Sequence, residues 1–577
     1  MATAQQLAQE WLRLDQNPTT RQEVQTLLTN GDVPKLETLM RKRIAFGTAG
    51  LRATMGAGFS RMNALTVIQA SQGLAAYLLK TEHDVEKRGV VIGRDARFNS
   101  DEFARLTAAV FMAKNIRVHW LGQVHTPLVP YTVGKLNAVA GVMVTASHNP
   151  AADNGYKVYW SNACQIIPPI DLGIAQAIAE NLEPSTWDTD AVQFTDPLVS
   201  NALEMVLSDY VAAVARTANL KQCSDPIKFV YTPMHGVGLP FFISVLKQIG
   251  LEKDMHVVPE QAEPDPSFPT VRFPNPEEKG ALDLAKQMAD SKDITLVLAN
   301  DPDADRFAVA EKVHGEWKQL TGNQLGVLLA SHVLETHQVN PQRKGLAMLA
   351  STVSSKMLAR MAAVSGRFRF EETLTGFKWL GNRAQELQKA GFDAFYAYEE
   401  AIGYMFSETG VVDKDGISAA AVFLSACHRW HGQHLTPWTK YEQLCQEYGY
   451  FEEANTYLIS PSAGVTNTVF AAVRKEKPVA VGNRKILRWR DLTVGFDSGT
   501  TDHIPLLPVD KSSQMISCQL EGDVQFTVRG SGTEPKIKLY IEGSAPTASE
   551  AKTAATQVLE ALVKEWFHPE ANGLKLA

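Results

Sequence analysis

Three aspartates at alternate positions are the first feature of the sequence that could do chemistry. Asp301, Asp303 and Asp305 directly follow the apolar run ITLVLAN, in the order Asp-Pro-Asp-Ala-Asp-Arg. Carboxylate oxygens are the ligands that hard divalent cations such as Mg²⁺, Mn²⁺ and Ca²⁺ prefer. An EF-hand is excluded, because it needs Gly at its sixth position and Glu at its twelfth, where this chain has Arg306 and Lys312. The segment predicts a divalent-cation site, the alternative being a solvated acidic turn.

A serine beside a histidine follows a second apolar run, AVAGVMV. Ser147 and His148 lie in the segment TASHNP at 145–150, and a serine at a strand end is a candidate nucleophile. The flanks lack the G-x-S-x-G pattern of a hydrolase nucleophile elbow. Taken alone, such a serine is more often a turn or capping residue. Its interpretation depends on the chemistry of the other loops.

Three further loops carry polar groups that could bind a small ligand. Residues 529–536 read RGSGTEPK, where backbone amides of small residues lie between cationic side chains, as in a phosphate site or a simple hairpin turn. The order is not that of a P-loop, and no G-x-G has the third glycine of a dinucleotide fingerprint, which disfavours nucleotide binding. TLTGFK at 373–378 and EEAIG at 399–403 offer hydroxyls and carboxylates for sugar hydroxyls, although either segment taken alone is more often ordinary surface. The adjacent glutamates point apart on an extended chain, so they are a poor glycosidase pair.

The elements around these loops predict three α/β units and a final α+β region. Strand-like runs alternate with helix-like runs over 88–145, from about 227 and from about 345, with left-handed helix caps expected at Gly366 and Gly391. After about 455 come shorter strand-like runs and one long amphipathic helix. Sites in such sheets form at the carboxyl ends of strands, where these loops lie. The predicted domains are 1–222, which begins with two short helices, 223–338, 339–455 and 456–577.

The composition excludes several classes of function. The 577 residues carry a formal charge of −7 and a pI near 6.1, so neither a nucleic acid nor an anionic membrane is expected as a partner. The five cysteines are scattered without a C-x-x-C pair, which argues against disulfides, zinc or a redox motif and for a reducing cytosol. The N-terminus does not look like a signal peptide, and no apolar run approaches the ~20 residues of a membrane span. We therefore expect a cytoplasmic protein.

Taken together and in their order, the loops resemble the motifs of the α-D-phosphohexomutase superfamily. The motifs are TASHNP at 145–150, DPDADR at 301–306, TGFKW at 375–379, EEAIGY at 399–404 and SGTEPK at 531–536. With GTAGLR at 47–52, DNGYKVYW at 153–160 and DKDG at 413–416, the chain resembles the phosphoglucomutase-2 and phosphopentomutase branch over nearly its whole length. The resemblance implies three similar α/β domains with mixed, largely parallel sheets and a smaller C-terminal α+β domain around a central cleft. In chain order each domain would contribute one loop: the phosphoserine loop, the metal-binding loop, the sugar-binding loop and the phosphate-binding loop.

The resemblance implies an isomerase, a phosphosugar mutase of the phosphoglucomutase or phosphopentomutase type. A phosphate on Ser147 would pass to the free hydroxyl of a sugar monophosphate, and the resulting bisphosphate would return its other phosphate. The net reaction interconverts glucose 1-phosphate and glucose 6-phosphate, ribose 1-phosphate and ribose 5-phosphate, or both. A bisphosphate primer, glucose 1,6-bisphosphate or an equivalent, is implied. The expected partners are sugar phosphates, and the expected state is a monomer or small homo-oligomer.

The resemblance also implies roles for individual residues. Mg²⁺ would be held by Ser147, through its phosphoryl group, with Asp301, Asp303 and Asp305. The catalytic residues beside Ser147 would be Arg52, His148 and Lys157. The substrate would be bound by Arg306, Thr375, Gly376, Lys378, Glu399 and Lys414. The non-transferring phosphate would be bound by Arg529, Ser531, Gly532, Thr533 and Lys538.

Three points stay open from the sequence. The general base is either His148 or Lys157. Ala401 stands where many phosphohexomutases carry a serine, so one hydroxyl contact to the sugar is missing and strict glucose specificity is in doubt. The alternatives to a mutase are a glucose 1,6-bisphosphate synthase and a metal-dependent phosphohydrolase that releases phosphate to water. A mutase must exclude water from its intermediate, and a separate C-terminal domain carrying SGTEPK favours the mutase.

Overall fold

The fold was obtained as a computed structural model that describes residues 2–47, 50–220, 226–338, 340–531 and 535–577. The chain forms two compact units, Met1–Thr336 with Phe377–Thr436, and His337–Gly376 with Pro437–Ala577. The boundaries of the four domains stay a prediction. Among the described residues, every helix is too short or too polar to cross a bilayer.

Residues 2–47 form three helices, where the sequence predicted two. They are α1 Ala4–Leu14, α2 Pro18–Thr29 and α3 Val33–Met40. The side chain of Asn17 caps α2, and Pro18 takes the first helical position, where its missing N–H costs no hydrogen bond. Asp32 caps α3 in the same way. The three helices enclose a small apolar core in which Trp11 packs edge-on against Phe59, with ring centroids 5.1 Å apart.

Residues 50–220 form a mixed sheet of six strands with helices. The strands are β1 Leu51–Thr54, β2 Val90–Arg94, β3 Val118–Gln123, β4 Ala140–Val144, β5 Asp153–Trp160 and β6 Val199–Asn201. The helices are α4 Ala64–Thr81, α5 Val85–Arg88, α6 Ser100–Met112, α7 Leu128–Leu136, α8 Ile170–Glu180 and α9 Ala202–Ala218. The strand order is β1-β5-β4-β2-β3-β6, with β4, β2, β3 and β6 parallel. The apolar run of β4 is completely buried, as expected for a parallel strand covered on both faces.

Residues 226–338 form a second mixed sheet, of five strands. The strands are β7 Phe229–Thr232, β8 Met255–Val257, β9 Leu296–Asn300, β10 Phe307–Val313 and β11 Glu316–Gln319. The helices are α10 Leu239–Ile249, α11 Pro259–Ala262, α12 Asp283–Ser291 and α13 Gly322–Thr336. The order is β11-β10-β9-β7-β8, with β9, β7 and β8 parallel. The acidic segment 301–306 is the connection between β9 and the antiparallel β10.

Residues 340–436 contribute elements to both compact units. In the second unit lie β12 Leu346–Ser351, α14 Met357–Ser365 and β13 Phe368–Thr373, with the two strands parallel. In the first unit lie α15 Phe377–Lys389, β14 Asp393–Glu399, β15 Gly403–Phe406 and α16 Gly416–His431, with the two strands antiparallel. Gly366 and Gly391 follow their helices with φ of +63° and +91°, which confirms the expected left-handed caps.

Residues 437–531 and 535–577 form a β-rich region whose nine strands make one sheet. Its elements are α17 Pro437–Tyr448, β16 Tyr450–Glu453, β17 Thr456–Ile459, α18 Ala463–Glu476, β18 Ala480–Val481, β19 Arg484–Asp491, β20 Phe496–Asp497, β21 Met515–Leu520, β22 Val524–Gly530, β23 Lys536–Ala545, α19 Ala548–Leu562, α20 Pro569–Asn572 and β24 Lys575–Leu576. The main strand order is β18-β19-β21-β22-β23-β17-β24, with β16 on β23 and β20 on β19. The predicted long helix corresponds to α19, which a π-helical turn extends over Val563–Phe567.

Candidate active site

The three aspartates of the β9–β10 connection converge. Asp301, Asp303 and Asp305 are completely buried, and one carboxylate oxygen from each lies within 4.8 Å of the others. The turn is possible because Ala304 adopts a left-handed φ of +50°. A neighbouring loop fits tightly against it: a Cβ on Gly236 would lie 2.3 Å from the Pro302 backbone. Any side chain at position 236 would therefore displace the acidic turn.

Cationic side chains from two other segments, and Arg306 of the acidic segment itself, surround this cluster. Lys157 Nζ, on β5, donates to Asp303 Oδ2 at 2.6 Å and to Asp305 Oδ2 at 2.7 Å. Lys414 Nζ lies 3.2 Å from Asp305 Oδ2, and Arg306 Nε lies 4.0 Å from an oxygen of Asp301 and of Asp305.

These charges act unequally on the three carboxyl groups. Burial, together with the carboxylates of Asp303 and Asp305, raises the pKa of Asp301 well above its ordinary value. Burial alone would raise the pKa of Asp305 as well, but Lys157 and Lys414 hold it below its ordinary value. The positively charged side chains around the cluster therefore stabilise the ionised form of Asp305 more than that of Asp301.

The cluster has the donors that a hard cation needs. Asp303 Oδ1 and Asp305 Oδ1 are buried and accept no hydrogen bond from the described residues. Buried carboxylate oxygens without a partner are costly, and a divalent ion is one group that satisfies several of them at once. Asp301, Asp303 and Asp305 therefore form a possible metal site made only of oxygen donors.

Ser147 lies directly against the acidic cluster. It follows β4, is 2% exposed and has a left-handed φ of +57°. Its hydroxyl donates to Asp301 Oδ2 at 3.1 Å and lies 3.2 Å from His148 Nδ1. The two loops that the sequence singled out separately thus meet at hydrogen-bond distance.

His148 and Arg52 lie at the edge of this cluster. Burial, and then the charges of Arg306 and Arg52, lower the pKa of the His148 imidazole well below its ordinary value, so the ring is neutral at neutral pH. Arg52 is exposed on β1, opposite Gly155 of β5, and its Nη1 lies 3.4 Å from Asn149 Oδ1.

The turn that follows β14 is joined to the acidic segment. Phe307 N donates to Ile402 O at 3.1 Å, and Arg306 and Gly403 form an isolated β-bridge. Glu399, the last residue of β14, is buried, and burial raises its pKa to about 7 against the opposing charge of Lys414.

Lys378 and Lys414 are the remaining residues of the predicted substrate site that lie in the first unit. Lys378 lies in the first turn of α15, with Nζ 5.9 Å from the ring centre of Trp379. Lys414 Nζ lies 5.6 Å from the ring centre of Phe377. Thr375 and Gly376 belong to the second unit, where they follow β13, and Gly376 has a φ of +106°.

The phosphate segment lies at the end of β22 in the second unit. Arg529 and Lys538 face each other in register on β22 and β23, and Arg529 Nη2 contacts Tyr540 Oη at 3.2 Å. Ser531 N donates to Lys536 O at 2.8 Å. Gly532 and Thr533 lie outside the described residues.

Sequence reasoning missed several polar residues that support these loops. Thr126 donates its amide to Asp303 O at 2.9 Å and its hydroxyl to Asp303 Oδ2 at 2.5 Å. Arg97 and Asp95 lie beneath the Ser147 loop. The available signal for Arg97 and Asp95 was their position in GRDARF, directly after β2, the parallel neighbour of β4. Thr126 follows β3 at the same edge of the sheet.

Comparison with protein families identifies the chain. Three family models match in chain order: the phosphoglucomutase/phosphomannomutase α/β/α domain I over residues 43–185, domain II over 208–315 and domain III over 321–448. The chain belongs to the phosphoglucomutase/phosphomannomutase family. The predicted superfamily is thereby confirmed, as is the fold class of three α/β domains followed by a C-terminal β-rich domain.

Individual relatives of this family member are similar over almost the whole chain. The chain is 48% identical to the "Probable phosphoribomutase" of Schizosaccharomyces pombe, covering 99% of each chain. It is 47% identical to the "Phosphoribomutase" of Saccharomyces cerevisiae, covering 97% of this chain and 96% of the relative. A solved phosphoglucomutase/phosphomannomutase family protein of Burkholderia thailandensis shares the fold, with a TM-score of 0.67, 18% identity, and 91% and 98% coverage. The family models and the two yeast relatives confirm an isomerase of the phosphoglucomutase or phosphopentomutase type.

Proposed function

We propose that this phosphosugar mutase acts mainly on ribose 1-phosphate and ribose 5-phosphate, with Ser147 as its phosphoryl carrier. The observation that carries the proposal is the contact of the Ser147 hydroxyl with Asp301 Oδ2 at 3.1 Å, beside two buried carboxylate oxygens that accept no hydrogen bond from the part of the chain that the structure describes. A nucleophile next to a cation site is the arrangement that phosphoryl transfer requires. The phosphoribomutase names of the two yeast relatives support the choice of a pentose.

The proposed metal is Mg²⁺, held by Asp301, Asp303 and Asp305. When bound, Mg²⁺ would stabilise the negative charge on the oxygens of the transferring phosphoryl group. The chain itself contributes Lys157 and Arg306, whose positive charges offset a phosphoserine that carries nearly two negative charges.

The reaction then needs only proton and phosphoryl transfers that this site can support. The Oγ–P bond of phospho-Ser147 breaks while a P–O bond forms to the free hydroxyl of the pentose monophosphate, whose proton leaves to a base. Ser147 Oγ takes up a proton as it leaves phosphorus. The bisphosphate then reorients and gives its other phosphoryl group to Ser147 Oγ, which loses its proton, while the sugar oxygen that leaves phosphorus takes up a proton. His148 is the proposed base, because its neutral Nδ1 lies 3.2 Å from Ser147 Oγ. Lys157 is disfavoured, because its ammonium group is engaged by two carboxylates.

Substrate binding is assigned to the remaining loops. We assign the sugar hydroxyls to Thr375, Gly376, Lys378, Glu399 and Lys414, with Arg306 and Arg52 near the transferring phosphate. We assign the other phosphate to Arg529, Ser531, Gly532, Thr533 and Lys538. Support for the second assignment comes from the cationic side chains of Arg529 and Lys538, paired in register on neighbouring strands.

The preference for a pentose has a structural correlate in the turn after β14. Ala401 occupies that turn and offers no hydroxyl to a sugar. Losing one polar partner weakens discrimination in favour of the substrate that would have used it. A cytosolic location is consistent with the four free, buried cysteines in the described chain, Cys164, Cys427, Cys445 and Cys518. The oligomeric state stays a prediction.

The test compares kcat/KM for ribose 1-phosphate and glucose 1-phosphate, each with a catalytic amount of the matching bisphosphate. We expect turnover of both, with ribose 1-phosphate favoured, and loss of turnover by orders of magnitude in Ser147→Ala. Glucose 1-phosphate favoured by more than about tenfold, equivalent to 1.4 kcal/mol, would contradict the pentose preference. Release of inorganic phosphate at the rate of substrate loss would indicate a phosphohydrolase instead, and net accumulation of bisphosphate a bisphosphate synthase.

A further inference from the structure

The guanidinium group of Arg97 holds the backbone of the serine loop from beneath. Its side chain is 1% exposed. Nη2 donates to Ser147 O and to Asn149 O, both at 2.6 Å. Nη1 donates to Pro150 O at 2.9 Å and lies 3.3 Å from Asp153 O. One side chain thus binds the carbonyl group of the nucleophile and those of residues that follow it in the loop.

The carboxylate of Asp95 compensates the buried positive charge of Arg97 and also binds Thr145 at the start of the loop. Its carboxylate lies 3.2 Å from Arg97 Nε and accepts the hydroxyl protons of Ser100 at 2.7 Å and of Thr145 at 2.6 Å. The Thr145 hydroxyl in turn accepts the amide proton of Ser147 at 2.9 Å. The amide and the carbonyl of Ser147 are therefore both fixed by the same buried pair.

Fixing both groups matters because the backbone of Ser147 is in an unfavourable conformation. Its φ of +57° lies in the left-handed region, which residues other than glycine enter only at a cost. Such a conformation persists when its surroundings over-determine it. Relaxation to an ordinary φ would turn the Cα–Cβ bond, and with it the hydroxyl, away from Asp301 Oδ2.

We propose that Arg97, together with Asp95, is a positioning residue for the nucleophile of the mutase. The pair holds loop 145–150 in the one conformation that presents Ser147 Oγ to Asp301, Asp303 and Asp305. This inference rests on the proposed role of Ser147. Arg97 itself touches neither the reacting oxygen nor the acidic cluster, so it acts only through the loop.

Arginine is the side chain that suits this task. Its planar fork offers five N–H donors in a fixed geometry, whereas a lysine ammonium is a point charge with three donors. The plane of the fork is also held by the ring of Phe268, whose centre lies 5.0 Å from the Arg97 guanidinium carbon. Phe268 belongs to the segment between α11 and α12, so the same arginine ties the serine loop to the domain that carries the acidic cluster.

The variant that tests the proposal is Arg97→Lys, which keeps the charge but loses the fork. Its matched control is Arg88→Lys at the end of α5, before the start of β2, where the guanidinium donates to Asn137 O at 2.9 Å. For each protein, kcat and KM are measured per folded molecule, the folded fraction being taken from circular dichroism. The rate of Ser147 phosphorylation by the bisphosphate is measured in a single turnover.

We expect Arg97→Lys to lower kcat and the single-turnover rate by about 10²-fold, the effect of misplacing a reacting atom by about 1 Å. KM for the sugar phosphate should change by less than about threefold, because sugar contacts come from other loops. Arg88→Lys should keep kcat per folded molecule unchanged. A kcat for Arg97→Lys within about threefold of wild type, or a loss confined to KM, overturns the proposal.

A second pair of variants keeps the test decisive if Arg97→Lys does not fold. Thr145→Val removes the hydroxyl that joins Asp95 to the Ser147 amide, and Thr145→Ser retains it. We expect a loss of kcat of about tenfold for valine, the value of one hydrogen bond, and a clearly smaller loss for serine. Equal losses in the two variants overturn the proposal. Turnover by the wild-type chain reports separately on the proposed function, so the two ideas can fail independently.

Discussion

Replacing Lys157 by methionine should destabilise the first unit unless a divalent cation takes over its charge. The Lys157 ammonium is 6% exposed and bridges two fully buried carboxylates, at 2.6 Å to Asp303 and 2.7 Å to Asp305. Removing one partner of a buried ion pair costs about 3–5 kcal/mol, because the other charge is left uncompensated. For a unit of this size, each kcal/mol lowers the melting temperature by roughly 2 °C, which predicts a drop of roughly 6–10 °C in a chelator.

Thermal unfolding with and without Mg²⁺ measures this effect. A ligand at about 100 times its Kd raises the free energy of unfolding by about 2.7 kcal/mol. We expect Mg²⁺ to stabilise Lys157→Met more than wild type, because in the variant no lysine ammonium competes with Mg²⁺ for the carboxylates. The matched control is Lys312→Met, which breaks a half-exposed pair with Asp290 at 2.8 Å and should cost at most about 1 kcal/mol in either buffer. If Lys157→Met melted within about 2 °C of wild type in chelator, a cost of only about 1 kcal/mol, or if Mg²⁺ stabilised both equally, the electrostatic account of the cluster would be wrong.

Two further predictions follow from shifted carboxyl groups. In the second unit, burial would raise the pKa of Glu372, but Lys356 and Arg490 hold it at about 2, so Glu372→Gln should cost about 3 kcal/mol at pH 7. A lowered pKa stabilises the fold above the unfolded value of 4.5 and stops doing so as the pH falls towards 2, so denaturant unfolding of the two proteins should converge over that interval. If the difference in free energy of unfolding between wild type and Glu372→Gln stayed constant over that interval, the prediction would be wrong. In the sugar loop, burial raises the pKa of Glu399 to about 7, so the carboxylate that can accept sugar hydroxyls forms only as the pH rises through that value. KM for the sugar phosphate should then fall by about tenfold across pH 6–8, and this change of KM with pH should be absent in Glu399→Gln. If KM of Glu399→Gln changed with pH as it does in the wild type, the assignment to Glu399 would be wrong.

The parts of the site that the sequence predicted are those carried by local order. Asp301, Asp303 and Asp305 alternate directly after a buried strand, and Ser147 follows another, so both were expected at the carboxyl ends of strands. Their contact at 3.1 Å could not be read from the residues, since it depends on how two sheets in different parts of the chain pack. The resemblance to a family supplied that expectation.

Other features were hidden because their residue types have ordinary alternatives. Arg97 looks like a surface arginine in a polar turn, and only the path of loop 145–150 shows that its guanidinium is enclosed by carbonyl groups. The pattern of residues 1–45 indicated two helices, whereas the structure has three, and the start of α2 is marked by the Asn17 cap and Pro18. Local propensity predicts an element's type better than its number or its partners.

The central claim is that Ser147 carries the phosphoryl group, and peptide mapping by mass spectrometry tests it most directly. The chain is incubated with ribose 1,5-bisphosphate or glucose 1,6-bisphosphate and Mg²⁺, quenched with chelator, and digested. We expect one added phosphoryl group on the peptide that contains Ser147, and its loss when the matching sugar monophosphate is added before the quench. Sustained mutase turnover without phosphate on Ser147, or with phosphate on another residue, would contradict the account.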